Sequence, residues 1–514
     1  MDMKDGAWRR LERSGVILVS YRGPSMDPRH PAAGGLAGSL DEVARDVPTT
    51  WITAAEGPDG LSPRGARVQA VRIAAHEREL FYGGFANRFF WMLAHDLSRG
   101  RCPAQIQHWY DEGYRPANER IARAVAQTLA AADTDAEHEP PVWVHDYHLF
   151  LVPGRLRALR PGARIGFFLH VPWPTLEGWQ GCAGAPVTEL VEGLLGADIV
   201  GLQTVRDAAR LLAAIEVLVP GARVERHSSQ VPEDTGDATV AVGTVHFGGR
   251  AIAVSAYPIS IDVRTVAARA STPHAAHWRE CLAVPAGVRT IVRVDRLDPA
   301  KNILLGFEAY EALLDRRSDL VGVTRFLAFL VPSRGSLPEY RDYRRRVLAK
   351  VEAINARFAR PGAVVPVTLY QQNDVEAAFA GLSLADAVLI NSRADGMNLV
   401  AKELTAVGGA PALVLSRLAG VAEAFGEAAL LVDPDDVEGT ALALAAALDM
   451  PAETRARRMR VMRDKVEAWT LDHWRDAQLR ALARIQRPVP VAADEGEARV
   501  ARLADLAAAG VAAQ

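Results

Sequence analysis

Six short segments concentrate the residue types that do chemistry, and most of them follow an apolar run of strand length. Val144-His145-Asp146-Tyr147-His148 ends one such run with a carboxylate, two imidazoles and a phenol. Open α/β sheets bind ligands just beyond the carboxyl ends of their strands, so this cluster is placed to meet a ligand. The plainer alternative is a buried, ion-paired Asp146 with structural histidines. Phe168-Leu169-His170-Val171-Pro172-Trp173-Pro174 ends a second run in His170 and a Pro-bounded turn; a lone histidine is more often structural than catalytic. In Arg293–Asn302, Arg296 ends a strand, Asp298 is a candidate cap, and the spacing puts Lys301 in the first turn of a helix. Cations there oppose the helix dipole unless an anion arrives, and a diphosphate would satisfy both. Arg334, in Pro332-Ser333-Arg334, ends another strand in the same way. In Asn391–Glu403, Gly396 allows a tight turn and a helix is expected from about Asn398, its free amides facing phosphate or sugar oxygens. Asp395 is placed to accept sugar hydroxyl protons, and Glu403, one or two turns into that helix, to hold a ribose. The weakest segment is Tyr21-Arg22-Gly23-Pro24 with Gly34-Gly35-Leu36, where glycines admit a phosphate close to backbone amides but also make ordinary turns.

Strands and helices must alternate to present these segments. Strands are expected at Val16–Val19, Trp51–Thr53, Val142–His145, Ile165–Leu169, Ile199–Gly201, Ile291–Val294, Arg325–Val331, Val365–Tyr370, Ala387–Ile390, Ala412–Leu415 and Ala429–Val432. Several are apolar on both faces, as strands covered on two sides must be. Helices such as Asp298–Arg316 and Tyr340–Ala356 separate them, which implies parallel sheets. Eleven strands fit two sheets better than one, with the break near Tyr257–Val263. Gly221–Thr244 reads as an extended polar insertion in the first half. The last helix, Leu471–Ile485, carries Trp474, Leu479 and Ile485 at helical spacing. The division expected is 1–262, 263–469, a helix at 470–487 returning to the first domain, and a tail at 488–514.

The 514 residues, 49% hydrophobic and 24% charged, describe a globular protein of two or three domains. A net charge of −3 gives no electrostatic pointer to nucleic acid. Cys102, Cys182 and Cys281 are scattered, with neither a disulfide framework nor zinc spacing. The N-terminal segment lacks a signal peptide's apolar core and runs directly into Val16–Val19, and no run is long enough to span a membrane. A soluble, cytoplasmic protein is expected, with no metal and no cofactor required; a homo-oligomer is left open.

Taken together and in order, GGL, WVHDYHL, GFFLHVPWP, GADIVGLQT, VDRLDPAKN, VPSR with a following PEYRDYRR, and DGMNLVAKE resemble the trehalose-6-phosphate synthases, glycosyltransferase family 20. The resemblance covers most of Val16–Arg487. It implies an α/β fold of the GT-B type, two Rossmann-like domains facing each other across a cleft, and a retaining transfer from a nucleotide-sugar to a phosphorylated sugar. It also implies roles. Asp146 would meet the acceptor sugar, His170 the donor sugar, and Arg296 and Lys301 the donor diphosphate. Asp395, Gly396, Met397, Asn398 and Leu399 would grip donor sugar and phosphate, Glu403 the ribose, and the Gly34-Gly35 loop would close over the donor. Arg22, Trp51, Tyr82, Trp91 and Arg334 would hold the acceptor and its phosphate. Leaving-group stabilisation is then the main task, and no protein nucleophile is needed.

Three departures fall where substrate identity is decided. Tyr21 stands where the family usually has Asn, Ala394 where it has Arg, and Asn373-Asp374-Val375 where the donor base is held. The last, with Asn391-Ser392 and Trp469-Thr470-Leu471, resembles the pseudo-glycosyltransferases that join a nucleotide-cyclitol to an aminocyclitol phosphate. The expectation is glucose transfer from UDP- or GDP-glucose to glucose 6-phosphate, with cyclitol coupling as the alternative. A non-catalytic sugar-phosphate sensor is disfavoured by the retention of Asp146, His170, Arg296, Lys301 and Glu403.

Overall fold

A computed structural model describes residues 6–26, 38, 40–54, 57–98, 100–132, 139–182, 186–227 and 238–486. Gly34, Gly35 and the tail 488–514 lie outside the described residues.

The described strands form two sheets. The first contains β1 (Val16–Ser20), β2 (Thr49–Thr53), β3 (Gly60–Leu61), β4 (Arg67–Ala70), β5 (Val142–His145), β6 (Ile165–Phe168), β7 (Ile199–Leu202), β8 (Arg223–Arg226), β9 (Val240–Phe247) and β10 (Arg250–Ala256). Their order is β3-β4-β2-β1-β5-β6-β7-β10-β9-β8. All neighbours from β4 to β10 are parallel; β3 and the pair β8–β9 add antiparallel edges. The second sheet contains β11 (Arg289–Leu297), β12 (Thr324–Pro332), β13 (Val367–Tyr370), β14 (Ala387–Ile390), β15 (Ala412–Ser416) and β16 (Leu430–Val432). It is parallel throughout, in the order β13-β12-β11-β14-β15-β16. This is the doubly wound order of a dinucleotide-binding sheet. Apolar runs such as Ala387–Ile390, at most 1% exposed, are buried on both faces as covered parallel strands require.

Four local expectations change. The N-terminal segment does not run directly into β1. Helix Gly6–Ser14 comes first, buries Ala7, Trp8 and Leu11, and packs against the helix Leu471–Arg484. Gly221–Thr244 is not wholly an insertion, because β8 and the start of β9 extend the sheet. Asp298–Arg316 is not one helix: a short turn, Pro299–Lys301, is cut from the helix Ile303–Arg316 by Asn302 in the left-handed region (φ 54°). Asn302 is held there by its Nδ2, which donates to Pro434 O at 2.6 Å, and Tyr343 OH takes the Ile303 N–H at 2.8 Å. Lys301 therefore precedes the helix rather than sitting in its first turn. Helix Leu399–Glu403 is a single turn, so Glu403 ends it and its dipole is small.

The chain passes between the sheets twice, and the two crossings lie together. Trp469 Nε1 donates to Pro258 O at 2.7 Å and Leu471 N to Ile261 O at 3.0 Å. Trp474, wholly buried on the returning helix, packs against Trp143 and Phe168 of the first sheet.

Candidate active site

In each sheet the strand order reverses once near the middle, at β1/β5 and at β11/β14, and crevices open at such switch points. The chemistry-bearing segments follow β1, β5 and β6 on one side and β11, β12 and β14 on the other.

Asp146 follows β5 with φ 75° and is 8% exposed. A non-glycine residue in that conformation needs its surroundings to hold it. Here Asp146 N donates to Phe168 O at 2.8 Å, and Oδ1 accepts the His170 N–H at 3.3 Å. Burial pushes its carboxyl up to about 7, against the main-chain donors of His170 and Tyr147 and the charges of Arg334 and Arg296. Burial drives His170 down to about 3, so the imidazole is neutral. Its Nε2 lies 3.3 Å from Nδ1 of His145, also neutral through burial, so one ring donates to the other.

Trp91 joins the two halves. It is carried by Trp91–Ala94, which continues a wide π-helix, Glu79–Phe90. Such helices are rare and concentrate at functional sites. Gly84 permits this one, since a Cβ there would come within 2.7 Å of the Trp109 ring. Over the Trp91 ring lie two guanidiniums of the second sheet, Arg334 at 4.0 Å and Arg296 at 5.3 Å. Arg334, after β12, has φ 45° and donates to Asp298 Oδ2 at 2.7 Å and Tyr340 OH at 2.8 Å, while its buried Nε has no partner. Asp298 is wholly buried; burial alone would raise its pKa, but Arg334, Arg296 and the Ala300 N–H hold it below the usual range. Arg296 is exposed, and its guanidinium makes no hydrogen bond or contact ion pair among the described residues. The Trp91 indole N–H is also buried, with no partner among the described residues.

Lys301 Nζ donates to Asp395 Oδ2, which Asn398 Nδ2 also reaches at 3.0 Å. Burial raises the Asp395 carboxyl, but Lys301 and Asn398 outweigh it and leave it ionised. Asn398 (φ 76°) caps the single-turn helix through Ala401 N at 3.2 Å. Gly396 must be glycine, since a Cβ there would collide with the His170 carbonyl oxygen in the other half. Met397 is 4% exposed and its carbonyl takes the Val421 N–H at 2.8 Å; Leu399 is half-buried beside it. Glu403 is half-buried, and burial pushes it up to about 7 despite the charge of Arg269. Asn373 is exposed, and its neighbour Asp374 is committed to capping Ala377 N and holding His274 and Trp278 Nε1.

On the β1 side, Arg22 Nη2 donates to Tyr82 OH at 3.2 Å. Arg22 also lines a cleft of about 290 Å³ with Gly23, Thr53 and Val68. Trp51 lies behind this turn: it is 0% exposed and its Nε1 donates to Ser20 Oγ at 2.8 Å, so it supports the turn before Arg22. Tyr340 and His95 were missed. Tyr340 lies in the PEYRDYRR run and shares Asp298 with Arg334. His95 is buried, its Nδ1 2.9 Å from Trp91 O, and burial pushes it down to about 4. Its spacing of four from Trp91 on a helical run was the available signal. Among the described residues no group of three or more His, Cys, Asp or Glu is arranged to hold a metal ion, and no helix is long and apolar enough to cross a membrane.

Comparison with known proteins agrees with this architecture. The family model of glycosyltransferase family 20 matches residues 42–484. A trehalose-6-phosphate synthase of Mycobacterium sp. (strain KMS) is 36% identical over 495 residues, covering 91% of this chain and 95% of the relative. That of Mycolicibacterium smegmatis is 34% identical over 462 residues, covering 88% and 87%. Among solved structures, the UDP-forming α,α-trehalose-phosphate synthase of Burkholderia xenovorans in complex with glucose-6-phosphate superposes with a TM-score of 0.77 at 30% identity, covering 91% of this chain and 99% of that one. The E. coli protein bound with UDP-2-fluoro glucose gives 0.77 at 28% identity, covering 92% and 100%. The two facing parallel sheets thus have the GT-B arrangement, and the chain is a glycosyltransferase that belongs to family 20.

Proposed function

We propose that this enzyme transfers glucose, with retention of anomeric configuration, from UDP- or GDP-glucose to glucose 6-phosphate, forming α,α-trehalose 6-phosphate. The observation that carries the reading is the pair of guanidiniums, Arg296 and Arg334, over one Trp91 ring at the meeting of the two halves. Two cations gathered there, one with no ion pair in contact distance among the described residues, suit two anionic substrates side by side. The activity named for the mycobacterial relatives supports it, as do glucose-6-phosphate and UDP-2-fluoro glucose bound in the bacterial neighbours.

In this reading Arg296 and Lys301 take the donor diphosphate and stabilise its charge as the glycosidic bond breaks. Each such donor contributes roughly 3 kcal/mol of transition-state stabilisation. The loop Asp395–Leu399 holds the donor sugar, Glu403 the ribose and Asn373 the neighbourhood of the base. Asp146 orients the acceptor hydroxyl, whose proton passes to the leaving diphosphate. His170, neutral, places its imidazole beside the developing positive charge of the sugar. Arg22, Tyr82, Trp91 and Arg334 hold the acceptor and its phosphate. No step calls for a metal or cofactor. A cytoplasmic setting, where nucleotide sugars and sugar phosphates occur, belongs to the same reading. The test is incubation with UDP- or GDP-glucose and glucose 6-phosphate, with detection of trehalose 6-phosphate by mass spectrometry. No product from either donor would refute it and favour cyclitol coupling, the reading suggested by Tyr21, Ala394 and Asn373.

A further inference from the structure

One polar group beside Asp146 has no part in the mechanism above. His148 is 7% exposed, and neither of its ring nitrogens has a hydrogen-bond partner among the described residues. An unpaired buried polar group costs ~1–3 kcal/mol, so native structures keep few of them. The ring is nevertheless fixed. The His148 carbonyl accepts from Asn118 Nδ2 at 3.0 Å, which anchors the backbone. The imidazole stacks on Tyr21 (centroids 4.8 Å, planes 15° apart) and lies against Tyr147 (4.0 Å, 30°). Tyr21 stacks in turn on Tyr82 (4.3 Å, 5°). Aromatic faces, rather than hydrogen bonds, therefore set the plane of the imidazole. In that plane its Nδ1 lies 3.8 Å from Asp146 Oδ2, the carboxylate oxygen opposite the one that accepts from His170 N.

The surroundings decide what such a ring can do. Burial, with Arg334 and Arg22 nearby, keeps the imidazole neutral, so it offers one N–H and no charge. The groups facing Asp146 are His148 and Tyr147 from its own turn, the His170 N–H from the end of β6, Tyr114 from the neighbouring helical segment, and Arg296 and Arg334 from the second sheet. Tyr114 OH is already engaged with Tyr147 O and Phe150 N. A donor closing on Oδ2 favours the ionised carboxylate and fixes its direction.

We propose that His148 is a positioning residue for Asp146, with the Tyr82–Tyr21–His148 ring stack holding its Nδ1 toward Oδ2 so that the carboxyl is aimed at the acceptor hydroxyl and its ionised form is favoured. Tyr21, where the family usually has Asn, then has a physical role: it is the ring that links Tyr82 to His148. Stacked aromatic pairs add stabilisation beyond area burial, which an Asn does not supply. The inference rests on the assignment of Asp146 to the acceptor in the proposed reaction.

The test uses the full chain. His148→Phe keeps a ring in the stack and removes both nitrogens, while His148→Gln restores an N–H donor. Turnover, acceptor KM and thermal melting are followed across pH. His148→Phe is expected to lower kcat about tenfold or more, to leave the acceptor KM within about twofold, and to move the acid limb of the profile up by about one pH unit. His148→Gln recovers part of both losses, and Tyr21→Phe loses less than Tyr21→Asn. A cooperatively folded His148→Phe with wild-type kcat and an unmoved acid limb overturns the proposal. If that variant does not fold, Tyr21→Asn decides: its acid limb moves the same way, or the proposal falls. An inactive wild-type protein would refute the functional reading instead. The infrared titration of the Asp146 carboxyl, identified by difference against Asp146→Asn, would then decide this one: it moves up in His148→Phe if the contact exists and stays if it does not.

Discussion

Arg334→Ala strikes two things at once, and the geometry separates them. The guanidinium donates to Asp298 Oδ2 at 2.7 Å and lies 4.0 Å from the Trp91 ring, with Asp298 wholly buried. Removing one partner of a buried ion pair costs about 3–5 kcal/mol. Asp298 would keep the Ala300 N–H at 3.0 Å and the Tyr340 hydroxyl at 3.2 Å, which places the loss near the lower end. The second loss falls on the acceptor. A charge-assisted hydrogen bond to its phosphate contributes about 1.5–3 kcal/mol, or roughly 10–150-fold in acceptor kcat/KM. Adding Asp298→Asn removes the unpaired charge and not the missing phosphate contact. The double variant should therefore regain about 1–2 kcal/mol of stability and none of the acceptor affinity. The pH dependence has a fixed sign. Asp298 titrates below its ordinary value in the fold, so its contribution is present above about 4 and fades as pH falls through the folded value. The melting gap between wild type and Arg334→Ala should narrow toward acid. Melting curves and initial rates with each substrate varied in turn measure all of this. Equal rises in donor and acceptor KM, or an acceptor KM restored by Asp298→Asn, would refute the assignment.

Arg296 makes no ion pair in contact distance among the described residues and acts on Asp298 and Asp146 only at longer range, so Arg296→Ala should cost far less melting stability than Arg334→Ala while lowering kcat by ~10²–10³; near-normal turnover would count against its place on the diphosphate. Gly396→Ala drives a methyl into the His170 carbonyl oxygen, at a cost of about 1–3 kcal/mol, and a shift of ~1 Å there should cost about 10²-fold in rate. Wild-type melting and rate in that variant would mean that the two halves do not meet at this contact in solution. Asp146→Asn should lose transfer yet melt higher than wild type above about pH 7. The carboxyl ionises near 4 when unfolded and at about 7 when folded, so its destabilising effect grows as pH rises between those values. A lower melting point at alkaline pH would show that the buried carboxylate is better satisfied than its burial implies.

The parallel strands that carry the site were legible because both of their faces are apolar. Val142–His145 and Ala387–Ile390 have the expected bounds, and β1, β6, β7, β12 and β15 differ by a residue or two at an end. The hairpin β9–β10 was missed although its turn, Gly248-Gly249, is a strong local signal, both residues having positive φ. Its strands, VAVGTVHF and RAIAVSA, are largely apolar, but the polar Gly221–Thr244 reading ran over the start of the first. Asn302 hid the break before helix Ile303–Arg316, since the left-handed turn depends on Pro434 and Tyr343, 132 and 40 residues away. The same holds within the site. Arg296 and Arg334 could be read as strand-end cations, but their convergence on Trp91 is a property of two sheets brought together. Trp51 was placed at the acceptor by motif alone, and its burial against Ser20 is visible only in the fold.

That convergence gives the two cations different duties. Arg334 is held by Asp298, Tyr340 and Trp91 before any substrate arrives, so little side-chain freedom remains to be lost when a phosphate binds. Arg296 is exposed, lies over the same indole with no side-chain hydrogen bond or contact ion pair among the described residues, and has up to about 2 kcal/mol of rotamer entropy to lose. Lys301, its expected partner on the diphosphate, is engaged with Asp395 and must share or exchange that contact. In the proposed reaction, a preset acceptor-phosphate site thus faces a diphosphate site assembled by its ligand, so stabilisation of the leaving group is greatest when the donor is seated. This asymmetry suits a transferase, for which donor charge stabilised without an acceptor in place would favour hydrolysis.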